Sequence, residues 1–336
     1  MRAVKSSKHR DIFFAPRSCE NGVFTTCTFT QSGSPCYADA VRRLIVNADD
    51  FGFTTGINRA IVEAHTRGIV TSSTLMATGR AFDNAVNSAK TVPLLSVGCH
   101  VVLIDGEPVL DAKQLPSLAL ARSDAGHFRD GLKSFAARAL TGRLDPGEIE
   151  AEASAQIRRL QSAGLSVSHV DTHKHTHMFP AVLQPLLRAA KACGVCAIRN
   201  PFGPSKPLRS SELLTRPNLW ARYAEVRILR ALSVRFSDSV RAEGVVTPDG
   251  TLGVVVTGAL DEKLFRAIAA LIPEGTWEFV CHPGYNDNDL KSAKTRLRES
   301  RESELRVLTM PDARQLLLNQ GIALISYREL TSDNGI

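Results

Sequence analysis

Leu44-Ile45-Val46 is a run of branched apolar residues that passes through Asn47-Ala48-Asp49-Asp50 and breaks at Phe51-Gly52. An apolar run bounded by a turn predicts a buried strand. Residues 55–67 follow with Ile57, Ala60, Ile61 and Ala64 at helical spacing, and Gly68 is a natural stop. Residues 69–77 read as a second strand, 81–91 as a helix and 95–102 as a third strand. Alternating strands and helices predict a parallel sheet or barrel.

The pattern continues with helices over 132–140 and 146–163, a strand over 168–172, a helix over 181–193 and a short strand over 195–199. Residues 219–232 read as a basic amphipathic helix with Trp220 and Tyr223. A strand over 252–257, a helix over 261–271, a strand over 276–281, a helix over 311–319 and a strand over 323–326 complete the core. Residues 104–130 and 201–217 are broken by Pro and Gly and are long for connections, which marks them as functional loops. Residues 1–40 are polar and aperiodic. They are expected to be a disordered or loosely attached extension, with 41–330 forming one α/β domain.

Of the 336 residues 43% are apolar, enough for a sizeable core. The net charge of +7 is spread along helices rather than gathered in runs, which gives a basic surface that tolerates anionic partners and no nucleic-acid arm. Neither a spanning run of about 18 apolar residues nor a signal core is present. The seven scattered cysteines are an odd set that argues for a reducing, cytoplasmic setting. Cys193 and Cys196 have CxxC spacing without a second pair, and are expected to be small packed residues rather than a zinc or redox site.

Candidate chemistry collects at strand ends: Asp49-Asp50, His100, the run from His169 to His177, and His282. An Asp-Asp pair alone is as readily a solvated turn, and a lone rim histidine is commonly a satisfied core residue. Four strand ends that each offer a carboxylate or an imidazole are less easily explained so. Such donors suit zinc and tolerate manganese, cobalt or nickel. Strand alternation places 169, 171, 173, 175 and 177 on one side, and spacing does not choose among His173, His175 and His177. Adjacent carboxylates allow one to bind a metal while the other takes a proton from water, with His282 as an acid for the leaving group.

The stretches Val46–Gly52, Gly98-Cys99-His100, His169-Val-Asp-Thr-His-Lys-His-Thr-His177 and Cys281-His282-Pro283-Gly284 resemble the YdjC-type carbohydrate deacetylases over roughly residues 42–330. The resemblance implies an irregular (β/α) TIM-like barrel of the polysaccharide-deacetylase type. It also implies one divalent metal ion, zinc or magnesium, and removal of an N-acetyl group from an amino sugar. Carried over by motif, Asp50, His100 and His173 would be the metal ligands, Asp49 the general base and His282 the acid. His175 and His177 would support the ligands or touch sugar, and Arg199 would orient a carboxylate or contact substrate. The HVDTHKHTHMFP run most resembles the hopanoid-biosynthesis branch of the family. That implies an N-acetylglucosaminyl hopanoid lipid as substrate and peripheral contact with the inner face of a membrane. The alternatives are a deacetylase of soluble chitooligosaccharides, a non-catalytic metal- or sugar-binding protein and, more distantly, a phosphoesterase.

Overall fold

The computed structural model describes residues 42–120 and 126–334. The expected extension over 1–40 lies outside the described residues. The first strand, β1 (Arg42–Phe51), is followed by α1 (Thr55–Thr66), β2 (Ser72–Leu75), α2 (Phe82–Thr91) and β3 (Ser96–Val101). Thr54 caps α1 by accepting from the Ile57 N–H at 3.2 Å, and Ile57, Ala60, Ile61 and Ala64 form its buried face. An antiparallel pair of two-residue strands, β4 (Ala119–Leu120) with β5 (His127–Phe128), precedes α3 (Leu132–Leu140), α4 (Pro146–Ser162), β6 (Val170–Thr172) and α5 (Pro180–Ala192). The second half runs through α6 (Ser210–Leu214), α7 (Trp220–Leu229), α8 (Ser233–Ala242), β7 (Gly250–Leu252), α9 (Glu262–Ala269) and β8 (Gly275–Cys281). It closes with α10 (Asn288–Ser292), α11 (Glu299–Leu308), α12 (Ala313–Asn319), β9 (Ile322–Ile325) and α13 (Tyr327–Asp333).

The main sheet has the order β6-β3-β2-β1-β8-β7, and every pairing in it is parallel. β9 lies beside the first four residues of β1, on the edge that β2 takes over from Asn47 onwards, while β8 holds the opposite edge. Strands β2 and β3 are buried throughout and β1 from Leu44 onwards, as in a parallel sheet covered on both faces, although β2 reads Ser-Ser-Thr-Leu rather than as an apolar run. Single bridges from Val170 to Ile198 and from Ala197 to Val246 carry the curl on from β6 towards β7. The architecture is an α/β fold with a curled parallel sheet, an irregular barrel of the expected type.

Three local expectations change. Residues 195–199 make isolated bridges rather than a full strand. The strand expected over 252–257 stops at Leu252, because Gly253 turns left-handed (φ 93°) and starts a 3-10 turn at Val254. Cys193 and Cys196 are free and half-buried rather than packed away. The 104–120 part of the long loop is tied down by α4. The buried Glu152 carboxylate accepts from the Val109 and Leu110 N–H groups at 2.8 and 3.0 Å. Among the described residues no helix is long and apolar enough to cross a membrane.

Candidate active site

The ends of β1, β3, β6 and β8 meet at the carboxyl edge of the sheet, where parallel α/β folds place their chemistry. Neighbouring residues of a strand point to opposite faces, so Asp49 and Asp50 should diverge. They do not, because the β1–β2 register slips between Ala48 and Phe51 and Asp50 adopts a left-handed φ of 69°. Aspartate tolerates that conformation better than most side chains with a Cβ. The kink brings both carboxylates into one site.

Asp50 faces two imidazoles. Its Oδ1 lies 3.7 Å from His100 Nε2 and 3.7 Å from His173 Nδ1, and the two nitrogens are 3.3 Å apart. Donors bound about 2.1 Å from an ion at tetrahedral angles stand about 3.4 Å from one another. The three atoms therefore fit one divalent cation. A second grouping, Asp49 with His100 and Asp171, also has close donor atoms. Its Asp49 carboxylate is, however, already held by Arg199 at both oxygens, at 2.8 and 2.6 Å.

His100 is fixed from behind. It is the register partner of Asp171, and its Nδ1 bonds Asp171 Oδ1 at 2.7 Å. The carboxylate sets the tautomer that leaves Nε2 free to bind. Burial pulls the His100 imidazole down, but Asp171, Asp49 and Asp50 together push it up to about 9. Burial dominates at His173, and takes it down to about 4 against the pull of Asp50.

Arg199 is fully buried among three carboxylates. It grips Asp49 through two hydrogen bonds, ion-pairs with Asp171 and donates from Nε to Glu278 Oε1 at 2.8 Å. Glu278 in turn accepts from the Tyr327 hydroxyl at 2.6 Å. Burial alone would raise the Asp49 carboxyl, but the guanidinium holds it well below the usual range. Glu278 stays raised, because its burial outweighs Arg199.

His282 directly follows β8. The register that pairs Ala48 with Cys281 sets it opposite Asp49, and its Nε2 stands 3.9 Å from Asp49 Oδ2. The His282 N–H donates to Glu304 Oε2 at 2.5 Å. One turn earlier on α11, Arg301 Nη2 donates to Asp50 Oδ2, also at 2.5 Å. The two residues of α11 thus reach both ends of the site.

The histidine run does not continue as a strand. β6 stops at Thr172, and Lys174 and His175 are left-handed at φ 57° and 53°. The turn separates the three histidines that alternation had put on one side. His173 joins Asp50 and His100. His177 is buried and bridges the Thr172 hydroxyl (2.7 Å) and the Arg199 carbonyl (3.2 Å). His175 has a buried Nδ1 with no hydrogen-bond partner among the described residues. His169 stacks on Tyr327 with centroids 3.6 Å apart, and Gly98 leaves it room: a Cβ there would fall 2.5 Å from the ring.

Asp171, Glu278, Tyr327, Arg301 and Glu304 had no assigned part in the sequence reading. Asp171 had a signal, since it sits two residues before His173 in a strand. The two α11 residues lie in a charged segment and had none.

Fold and site define a curled parallel α/β barrel with a carboxylate–imidazole centre at the carboxyl edge of its sheet. The chain belongs to the YdjC-like protein family, whose model matches residues 43–319. It is 32% identical over 290 residues to a carbohydrate deacetylase of Brevibacillus brevis, covering 86% of this chain and 99% of that one. It is 34% identical over 290 residues to a carbohydrate deacetylase of Geobacillus stearothermophilus, covering 86% and 98%. A crystal structure from Enterococcus faecalis, described in terms of cellobiose-phosphate cleavage, matches with a TM-score of 0.67 at 26% identity. That likeness covers 86% of this chain and 99% of the other.

Proposed function

We propose that this protein is a metal-dependent carbohydrate N-deacetylase whose substrate is an N-acetylglucosaminyl hopanoid lipid. Deacetylation of a carbohydrate is supported by family membership and by the names of the relatives. The observation that carries the chemistry is the division between the two carboxylates. Asp50 belongs to the donor triad, while Asp49 stands outside it, clamped by Arg199 and facing His282.

A divalent cation held by Asp50, His100 and His173 would polarise the acetyl carbonyl and lower the pKa of water there to about 7. Two imidazoles with one carboxylate suit zinc better than magnesium, which takes oxygen ligands. Asp49, kept ionised by Arg199, takes the proton of the attacking water. Arg199 also stops Asp49 from turning towards the triad. His282 delivers a proton to the departing sugar nitrogen as the C–N bond breaks, and Glu304 fixes its backbone for that task. Acetate and a free amino sugar result.

The lipid half of the proposal rests on the HVDTHKHTHMFP run and on the surface of α6–α8. Leu214, Trp220, Ile228 and Val234 are exposed there, amid seven arginines and three acidic residues between 209 and 241. An amphiphilic substrate presented at the inner face of a membrane suits an apolar and basic rim. A soluble chitooligosaccharide is the second reading, favoured by relatives named for carbohydrate alone. The test is acetate release from N-acetylglucosaminyl hopanoid and from N,N′-diacetylchitobiose, with and without chelator. Chelator-sensitive release from the lipid alone is expected. Release from the sugar alone removes the hopanoid, and release from neither removes the deacetylase.

A further inference from the structure

We propose that Arg301 is a positioning residue that restricts Asp50 to binding a cation through one oxygen. The inference rests on the metal reading above and concerns how the donor set is kept open. Asp50 Oδ1 is equidistant from the two histidine nitrogens, at 3.7 Å. Asp50 Oδ2 accepts instead from Arg301 Nη2 at 2.5 Å. A carboxylate binds an ion with both oxygens only when both face it. A guanidinium, which stays charged throughout the accessible pH range, also repels a cation from the oxygen it holds.

Arg301 is itself held in place. It is 1% exposed, and its Nε donates to the Leu297 carbonyl at 3.2 Å. Its own carbonyl accepts from the Gly284 N–H at 3.3 Å. Gly284 has no side chain to crowd it, and a Cβ there would lie 2.9 Å from Arg301 Cδ. The turn that displays His282 therefore also makes room for Arg301. With Asp50 limited to one oxygen, the protein supplies three donor atoms. A catalytic site of this kind needs positions left for water and substrate, and a second Asp50 oxygen would fill one of them.

The test uses the whole chain loaded with cobalt(II), whose visible bands are intense with four or five ligands and weak with six. Arg301→Met keeps the apolar stem and removes the charge and the donors. Its band intensity is expected to fall several-fold, with Arg301→Lys retaining the parental spectrum. A parental spectrum in Arg301→Met overturns the inference and leaves the deacetylase reading intact. Should Arg301→Met not fold, Gly284→Ala displaces Arg301 without removing it. A partial loss of intensity there supports the inference, and an unchanged band overturns it. A parent chain that binds no cobalt overturns the metal reading and this inference together.

Discussion

Arg199 holds Asp49 by two parallel hydrogen bonds, of 2.8 and 2.6 Å, from its two terminal nitrogens. The same guanidinium pairs with Asp171, the residue behind His100, and with Glu278. One buried cation therefore serves the proposed base, the carboxylate behind His100 and a core carboxylate. Paired geometry of this kind fixes orientation as well as charge.

Arg199→Met is expected to destabilise the fold by about 3–5 kcal/mol, the usual effect of removing one partner from a buried charged cluster. Urea unfolding of the parent and the variant measures it. A loss under about 1 kcal/mol would mean that the three carboxylates are neutralised by other means.

Asp49→Asn keeps the shape of the side chain and removes the proposed base. Acetate release is expected to fall by about 10²- to 10⁴-fold, the range of general-base assistance. Zinc binding, followed by titration, should remain, because Asp49 stands outside the donor triad. Weakened binding would instead place Asp49 among the ligands.

Asp171→Asn takes the negative charge from behind His100 without emptying its place. Zinc affinity is expected to drop by about 10- to 100-fold, as for other residues that orient a ligand histidine. Competition against a coloured chelator reads it directly. An unchanged affinity would show that strand register alone orients His100.

The metal-free protein should be most stable near the pH at which free histidine titrates, about 6.5. His173 and His177 are taken down to about 4 and about 3, chiefly by burial. The unfolded chain binds their protons first, so stability falls as the pH drops below that value. His100 is pushed up to about 9. Its contribution is complete at pH values below the unfolded pKa and is lost as the pH rises through the folded one. Urea midpoints from pH 5 to 9 in chelator should pass through a maximum, and a flat profile would contradict these protonation states.

The strand ends were legible because each is an apolar run that stops at a polar residue with recognisable chemistry, as at Val46-Asn47-Ala48-Asp49. The choice among His173, His175 and His177 was not. It depends on where β6 stops and on two left-handed residues that periodicity cannot anticipate. Convergence of Asp49 and Asp50 needed the slip in β1, which is likewise invisible in the sequence. Arg301 and Glu304 sit in a strongly charged segment, yet both are buried. Burial of a charged residue depends on what the fold places opposite it, and those partners are some 250 residues and 22 residues away.

The crowding of β1 between β8 on one edge and β9 and β2 on the other has a consequence for how the protein comes apart. Its amides are bonded on both sides, whereas β6 and β7 end the main ladder. Partial openings should begin at those outer strands and leave β1 protected, so that in deuterium exchange its amides label last, with the global event. The carboxylates then ride on the slowest-opening part of the sheet. His173, just beyond β6, rides on a faster one, so local breathing should part His173 from Asp50 and His100 while both aspartates stay in place.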